Sequence, residues 1–169
     1  GIGAFGDGMA ELKKRKLIDP IKKKIKEGTP LLGICLGMQM LFTKSQEFGI
    51  HEGLNLIQGI VTSFKSPTQL NLPGYKVPHI GWNSLEKSTV SWKNTMLKYI
   101  KEDDEVYFVH SFYPVVKNNT YVLSNTIYGN QQFCSVVKKG NVFGTQFHPE
   151  KSGEVGLSIL KGFCEVNQI

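Results

Sequence analysis

The spacing of hydrophobic positions divides the chain into a helical first part and a strand-rich second part. In the first part, apolar residues recur at near-helical intervals and predict two short helices. The first runs from about Gly8 to Leu17 with Asp7 as N-cap, and the second restarts at Asp19-Pro20 and is stopped by Gly28. The apolar positions are Met9, Leu12, Leu17, Ile21 and Ile25.

A strand, a tight turn and a helix are predicted next. Thr29 to Ile34 is an apolar run of strand length, and Cys35 stands where it ends. The following segment LGMQMLFTKS continues with Leu36, Met40 and Leu41 at helical spacing. Cys35 therefore lies between a predicted strand and a predicted helix.

Beyond Gly49 the hydrophobic period changes to two, which predicts strands. Two glycine-containing turns, at Tyr128-Gly129-Asn130 and Lys139-Gly140-Asn141, should link the last three strands into antiparallel hairpins. A closing helix from Ser152 to about Val166 places Val155, Ile159, Leu160 and Phe163 on its inward stripe. We therefore expect an α/β fold with a mixed sheet flanked by helices. The predicted strands are Gly59–Phe64, Val106–Tyr113, Tyr121–Ile127, Gln132–Val137 and Val142–Phe147.

Composition is that of an ordinary globular protein. With 169 residues, 40% of them hydrophobic, the chain fits a single domain spanning 1–169. No apolar run reaches the roughly 20 residues that cross a bilayer, so we expect no membrane partner and a cytoplasmic location. The cysteines, Cys35, Cys134 and Cys164, have no metal-ligand spacing, which predicts neither a disulfide framework nor a metal site.

The net charge of +6 is concentrated in the predicted first two helices, between Lys13 and Lys26. Such a run could indicate a basic, non-enzymatic module that binds nucleic acid. The apolar stripe on the same segment favours a solvated helix face instead, and no aromatic residues interleave the lysines. We therefore expect no nucleic-acid partner.

Cys35 has the setting of a nucleophile on a sharp turn. In GICLGMQ it stands between Gly33 and Gly37, the cysteine counterpart of G-x-S-x-G, where side chains on either side of the turn would crowd it. The start of the next helix should favour the thiolate, and the Leu36 amide is placed to donate to an oxyanion. The alternative is an ordinary buried thiol.

His148 is the best placed base for such a thiol. In VFGTQFHPE it ends an apolar strand that Pro149 interrupts, so the imidazole should project at the sheet edge. Glu150 lies two residues on, where its carboxylate can orient the ring. Cys35, His148 and Glu150 would then act as nucleophile, acid/base and orienter. Alone, H-P-E could be only a turn.

Taken together, GICLGMQ and QFHPE resemble the triad-type class I glutamine amidotransferases. One branch is matched further, the glutaminase subunit of imidazole glycerol phosphate synthase. Its motifs are similar to GAFGDGM near the start, KVPHIGWN at 76–83, VYFVHSFY at 106–113 and GNVFGTQFHPEKSGEVGL at 140–157.

The resemblance implies hydrolysis of glutamine to glutamate and ammonia without a cofactor. It assigns Gln39 to the substrate glutamine, together with backbone groups of Ser111 and Phe112. It also places the glycine-rich segment Gly1, Ile2 and Gly3 beside the nucleophile, where its backbone supplies or gates a second oxyanion donor.

A partner is also implied by the resemblance. Ammonia would pass to a (β/α)₈ barrel synthase subunit, forming a heterodimer that makes imidazole glycerol phosphate and an aminoimidazole carboxamide ribonucleotide for histidine biosynthesis. Trp82 and Lys151 match positions that face the barrel. Two alternatives remain open: a paralogue that feeds a polysaccharide-sugar synthase, and a cysteine hydrolase of other substrates.

The family also begins with a strand, a helix and a second strand before the segment GIGAFGD, and these are missing from the sequence. Losing them would expose ladder groups of the neighbouring strands. We therefore expect the chain to be N-terminally incomplete.

Overall fold

The computed structural model describes residues 3–169, so the predictions for Gly1 and Ile2 lie outside the described residues. The helices are α1 (Phe5–Lys14), α2 (Ile18–Lys26), α3 (Leu36–Met40), α4 (Pro67–Leu70) and α5 (Gly153–Asn167). The strands are β1 (Leu31–Ile34), β2 (Phe42–Ser45), β3 (His51–Glu52), β4 (Ile57–Ser63), β5 (His79–Ser84), β6 (Glu86–Lys87), β7 (Glu105–His110), β8 (Phe112–Val116), β9 (Val122–Tyr128), β10 (Gln131–Lys139) and β11 (Val142–Thr145).

The strands form three sheets rather than one. The first has the order β1-β11-β10-β9-β6 and is mixed, because β1 runs parallel to β11 while β11, β10 and β9 are antiparallel. The second has the order β3-β2-β4-β8, and the third pairs β5 with β7. The predicted α/β class with a mixed sheet and flanking helices is confirmed.

Both predicted hairpins are present. Tyr128 pairs with Gln131 across the two-residue loop Gly129-Asn130, where both residues have positive φ. This is the backbone of a type I′ turn, which matches the twist of the flanking strands. Lys139 pairs with Val142 across the second loop, so β9, β10 and β11 form a continuous antiparallel unit.

The first two helices were placed only approximately by the sequence. Asp7 is not the N-cap: α1 begins earlier, after Ala4, and the Phe5 N–H donates to Glu47 Oε2 at 2.7 Å. A carboxylate from a distant loop therefore satisfies the helix end that Asp7 was expected to cap. The helix also ends at Lys14, before Leu17.

The helix predicted after Cys35 is too long. It ends at Met40, and the next residues form β2, which runs parallel to β4 with Phe42 paired to Ile57. Phe42 and Ile57 are fully buried. Tertiary pairing thus overrides the local helical spacing of this segment.

The strand predicted from Val106 to Tyr113 is in fact two strands. A bend at Ser111 separates β7, which pairs with β5, from β8, which pairs with β4 in another sheet. The sequence pattern also missed β5 itself. The chain therefore passes from one sheet to another at Ser111, and this position becomes important for the site.

Strand β10 is covered on both faces by the core. Phe133 and Val136 belong to a cluster that includes Phe163 of α5, whereas Val137 belongs to a second cluster that includes Phe42. A strand buried on both sides holds its neighbour β11 firmly, and β11 leads into the segment carrying His148.

The basic segment lies on the surface of α1 and α2. Lys14 and Arg15 form ion pairs with Glu11, and Lys24 forms one with Glu27. These contacts fit a solvated helix face. Among residues 3–169 no helix is both long and apolar enough to cross a membrane, and no cluster of three metal-ligating side chains occurs.

Candidate active site

Cys35 occupies a strained turn between β1 and α3. Its φ of 51° and ψ of −110° are values that residues with a side chain rarely adopt. The surrounding backbone holds it there, because the Cys35 N–H donates to the Thr145 carbonyl at 2.7 Å and its own carbonyl accepts from the Gln39 N–H at 3.1 Å.

The two glycines that flank Cys35 have different roles. A Cβ on Gly33 would lie 2.6 Å from the Gly37 carbonyl oxygen, so this position has no space for a side chain. Among residues 3–169, a Cβ on Gly37 would meet nothing within 4 Å outside its own helix. The expectation of crowding is therefore right for Gly33, whereas no described residue crowds Gly37.

A cavity of about 370 Å³ opens beside the sulfur. It collects most of the predicted site residues within the described part of the chain, although they come from distant sequence segments. Its walls are formed by Gly3, Cys35, Leu36, Gln39, Glu47, Phe48, Tyr107, Val109, His110, Ser111, Phe112, His148 and Lys151.

Burial dominates the electrostatics of the thiol. Cys35 is 7% exposed, and this desolvation raises the pKa of its thiol above the ordinary value, although hydrogen bonds from the Leu36 N–H and from Gln146 act in the opposite direction. The net direction is opposite to the predicted preference for thiolate. The thiol donates to the Val109 carbonyl at 3.8 Å and accepts from Gln146 Nε2 at 3.8 Å.

His148 and Glu150 form a close pair. His148 Nδ1 lies 2.6 Å from Glu150 Oε1, and because a carboxylate only accepts, this nitrogen carries the proton. The neutral ring is then unprotonated at Nε2, which is buried and has no hydrogen-bond partner among residues 3–169. The histidine is 3% exposed, whereas the glutamate side chain is 46% exposed.

The backbone of His148 is fixed by strand β7. Its N–H donates to the Tyr107 carbonyl at 2.9 Å, and its carbonyl accepts from the Ser152 hydroxyl at 2.7 Å. Ser152 in turn accepts from the Tyr107 N–H at 3.0 Å. The sequence predicted that His148 ends a strand at a sheet edge, and this is wrong. Strand β11 ends at Thr145, and the ring belongs to a buried segment before the 3-10 turn Pro149–Lys151.

Gln39 connects α3, the helix that follows Cys35, to the bend between β7 and β8. Its Nε2 donates to the Phe112 carbonyl at 2.9 Å and to Gln146 Oε1 at 3.2 Å. The carbonyl of Ser111 is also engaged, by the Phe64 N–H at 3.1 Å. Hydrogen bonds from the Gln39 side chain and the Phe64 backbone thus hold Phe112 and Ser111 in position at the cavity wall.

The remaining predicted residues surround this centre. Leu36 supplies the N–H beside the sulfur, and Gly3 lies on the cavity wall. Lys151 is exposed and also lines the cavity. Trp82 lies outside it, 54% exposed, in edge contact with Tyr107, a wall residue.

Glu47 and Phe48 are wall residues that the sequence reasoning missed. Both follow β2, in a loop that the sequence pattern assigned to no site. No local motif marks them, since their position depends on the turn of the chain from α3 into β2. Tyr107 was missed for a similar reason, because only the split of β7 from β8 shows which residues face the cavity.

Comparison with known proteins gives the family. A model described as glutamine amidotransferase class-I matches residues 4–166. The chain belongs to the class-I glutamine amidotransferase family. A curated relative from Legionella pneumophila (strain Lens), imidazole glycerol phosphate synthase subunit HisH 1, is 49% identical over 98% of this chain and 78% of its own length. The HisH subunit of Wolinella succinogenes is 46% identical over the same shares. The resemblance to this branch is therefore confirmed.

Solved structures support the same fold. A glutamine amidotransferase crystal structure superposes with a TM-score of 0.66 at 19% identity, covering 99% of this chain and 76% of the other. PurLQS from Thermotoga maritima gives a TM-score of 0.65 at 21% identity, covering 89% and 68%. At this identity the likeness concerns the class-I glutamine amidotransferase fold alone.

Proposed function

We propose that this chain is the ammonia-producing subunit of an imidazole glycerol phosphate synthase and uses Cys35, His148 and Glu150 as its catalytic triad. One observation carries the proposal: a single cavity brings together a strained cysteine and a histidine whose Nδ1 is bonded to a carboxylate and whose Nε2 has no hydrogen-bond partner among residues 3–169. The class-I glutamine amidotransferase family model supports glutamine as the substrate, and curated HisH relatives, one of them 49% identical, support the choice of synthase.

In the first half-reaction the Cys35 thiol attacks the side-chain carbonyl carbon of glutamine. Its proton passes to His148 Nε2 as the sulfur–carbon bond forms, and Glu150 stabilises the resulting imidazolium. Because the proton leaves as the bond forms, no free thiolate has to exist in the buried site, where desolvation raises the pKa of the thiol. His148 then protonates the departing nitrogen, so ammonia leaves and a glutamyl thioester remains.

Water completes the cycle. His148 Nε2 removes a proton from a water molecule, which attacks the thioester carbonyl, and the thiol of Cys35 leaves with the proton returned to it. The Leu36 N–H donates a hydrogen bond to the oxyanion of each tetrahedral intermediate. The segment Gly1, Ile2 and Gly3 supplies or gates a second donor, and of these residues only Gly3 lies in the described range.

Substrate recognition uses other residues of the cavity wall. Gln39 and backbone groups of Ser111 and Phe112 hold the glutamine, and Glu47 provides a carboxylate for its α-ammonium group. The carbonyls of Ser111 and Phe112 already accept hydrogen bonds within the protein, which favours their N–H groups as the groups offered to substrate.

The synthase partner binds beside the same cavity. Trp82 and Ile80 are exposed on β5, at 54% and 59%, and Lys151 adds a positive charge at the cavity wall. An exposed tryptophan with an aliphatic neighbour on the same strand favours a protein interface, because aromatic residues are enriched there. A (β/α)₈ barrel subunit docked here would receive the ammonia and make imidazole glycerol phosphate and an aminoimidazole carboxamide ribonucleotide in the cytoplasm, for histidine biosynthesis.

The test is glutamine hydrolysis by the natural full-length chain, with and without the barrel subunit and its ligand. We expect partner-dependent glutamate production that Cys35→Ala lowers by at least about 10³-fold, as loss of a covalent nucleophile does. Cys164→Ala is the matched control, because Cys164 is a half-buried thiol on α5. Turnover that survives Cys35→Ala would refute the triad.

Exchanging the acceptor decides between the possible synthases. Glutamine-dependent product with the imidazole-forming barrel supports the proposal, whereas product only with a sugar-amidating synthase would move the chain to that paralogue. Salt-dependent nucleic-acid binding without glutaminase activity beside either partner would indicate the basic binding module.

A further inference from the structure

Two buried histidines outside the triad form a direct contact. His79 on β5 and His110 on β7 are register partners in the two-stranded sheet, and they are only 2% and 6% exposed. His79 Nδ1 lies 3.2 Å from His110 Nε2. His110 lines the cavity, whereas His79 does not, so the pair connects the cavity wall to β5.

The contacts of the pair determine where its protons lie. His110 Nδ1 lies 2.9 Å from the Phe112 carbonyl oxygen, which only accepts, so this nitrogen is the donor. In the neutral ring Nε2 is then an acceptor, and His79 Nδ1 must donate to it. His79 Nε2 is left to accept from Asn83 Nδ2 at 3.4 Å.

The outer end of this chain of hydrogen bonds is also fixed. Asn83 Nδ2 donates to the Ile127 carbonyl at 2.9 Å, which orients its amide group. The His79 ring is stacked on Tyr128 at 3.9 Å and on Phe108 at 4.8 Å between ring centres. Burial lowers the pKa of His79 to about 4 and that of His110 to about 3, so both rings are neutral at physiological pH.

The inner end of this chain of hydrogen bonds is the carbonyl of Phe112, one of the residues proposed to bind glutamine. The Phe112 carbonyl accepts a second hydrogen bond, from Gln39 Nε2 at 2.9 Å. The bend at Ser111, where the chain changes sheets, is therefore held from the nucleophile helix on one side and from β5 on the other.

We propose that His79 is a positioning residue for glutamine, which acts through His110 to hold the Ser111–Phe112 backbone in the orientation that binds substrate. This inference rests on the proposed function, because it concerns how the same cavity holds its glutamine. His79 touches no reacting atom. Its effect is on binding in the ground state and transition state alike, which predicts a change in KM rather than in kcat.

Two substitutions distinguish the hydrogen bond that His79 donates to His110 from the packing of the His79 ring. His79→Phe keeps the aromatic stack and removes the N–H to His110, whereas His79→Asn keeps an amide N–H at the place of Nδ1. With the partner subunit present, we expect His79→Phe to raise the KM for glutamine roughly 10- to 100-fold, as displacement of positioning groups does. The value of kcat should stay within about threefold, and His79→Asn should restore most of the affinity.

Tyr128→Phe is the matched control. Tyr128 packs on the His79 ring, and its hydroxyl donates to the Lys76 carbonyl at 2.8 Å, outside the histidine chain. Losing this hydrogen bond should leave KM within about twofold, since exposed contacts of this kind contribute little. An unchanged KM in a folded His79→Phe protein, or a His79→Asn protein as impaired as His79→Phe, would overturn the inference.

Nitrogen-15 NMR of the histidine rings gives a readout that does not need turnover or a stable His79 variant. We expect both His79 and His110 as neutral rings protonated at Nδ1. In the Cys35→Ala protein, glutamine should shift the His79 ring signals but not those of His51. A His79 ring protonated at Nε2, or His79 signals unmoved by saturating glutamine, would contradict the positioning role.

The two proposals fail differently. If the wild-type protein shows no glutaminase activity beside the partner, or keeps it after Cys35→Ala, the proposed function fails. If the wild-type protein hydrolyses glutamine through Cys35 and the His79 variants keep normal KM, only the positioning inference fails.

Discussion

His148 and His110 line one cavity, but His148 and the His79–His110 pair have opposite hydrogen-bonding arrangements. In His148, Nδ1 donates to Glu150 and the buried Nε2 has no partner among residues 3–169. In the pair, every ring nitrogen has a partner: the Phe112 carbonyl, the other histidine or Asn83. The same side chain is therefore open to proton transfer at one position and closed to it at the other.

The difference shows that burial alone does not mark a catalytic histidine. All three rings are at most 6% exposed. What distinguishes His148 is one carboxylate that can stabilise an imidazolium and one nitrogen left for substrate chemistry. Among residues 3–169 no carboxylate is hydrogen-bonded to the His79–His110 pair, and its saturated hydrogen bonds hold backbone rather than exchange protons.

The largest difference between the two sites should follow from His148→Ala. Without an acid/base, attack by Cys35 and departure of ammonia both slow, and we expect kcat for glutamine to fall at least about 10³-fold. His51→Ala, at a half-buried histidine on β3, is the control. Activity within tenfold of wild type after His148→Ala would make the two histidine sites functionally alike.

Glu150→Gln should have the next largest effect. The amide keeps the size of the side chain but removes the charge that stabilises the imidazolium. A buried triad aspartate contributes about 10⁴-fold, and because Glu150 is half exposed we expect a smaller loss in kcat, roughly 10²-fold. Glu154→Gln, an exposed glutamate in the first turn of α5, should leave kcat unchanged.

Gly156→Ala should disturb His148 through packing. A Cβ there would lie 1.9 Å from the Pro149 carbonyl oxygen, directly after His148, so the turn must shift. Overpacking of this kind costs about 1–3 kcal/mol of unfolding free energy, and we expect kcat to fall roughly tenfold as well.

Gly162→Ala is the control on the same helix. Its Cβ would lie 2.4 Å from the Met96 carbonyl oxygen, away from His148. Thermal unfolding should show a similar loss of stability in both variants, whereas kcat per folded molecule should fall only in Gly156→Ala. Equal kcat losses would mean that the effect is general and not transmitted through His148.

The last prediction concerns how the stability of the protein depends on pH through the His79–His110 pair. Folding lowers the pKa of His79 and His110, so below about pH 6.5 the unfolded chain binds protons that the folded chain does not. Stability should therefore fall as pH drops from about 6.5 towards 4, by up to about 1.4 kcal/mol per pH unit for His110, whose pKa is lowered further than that of His79.

Chemical denaturation at several pH values measures this slope. His79→Asn removes one titrating ring, so its stability should depend less steeply on pH in the same window. An identical slope in the wild-type and variant proteins would show that the acid sensitivity comes from other groups.

Much of the fold follows from local patterns along the chain. The period-two segments around Gly129 and Gly140 predict the hairpins, because each glycine turn joins two strands that pair only with their sequence neighbours. The predicted helix after Cys35 and the predicted strand up to Tyr113 are too long, because pairing with distant strands ends both elements early. Phe42 and Ser111 change element because of partners in β4 and β5, which no local window contains.

The candidate site divides in the same way. Cys35, His148 and Glu150 stand in the short motifs GICLGMQ and QFHPE, which together marked them as candidate site residues. Glu47 stands in no motif, and although Tyr107, His79 and His110 stand in KVPHIGWN and VYFVHSFY, those motifs do not show that Tyr107 and His110 line the cavity or that the two histidines are paired.

By itself, the sequence determined the α/β class, the turn that carries Cys35, the His148-Glu150 pair and the family, because each depends on residues close together or on motifs recognisable one by one. Only the tertiary structure decided whether burial favours the thiol or the thiolate of Cys35. It also decided which glycine of the turn is required and which histidine keeps a nitrogen free. These properties depend on desolvation, steric contact and hydrogen-bond partners supplied by distant segments, and they exist only once the chain is packed.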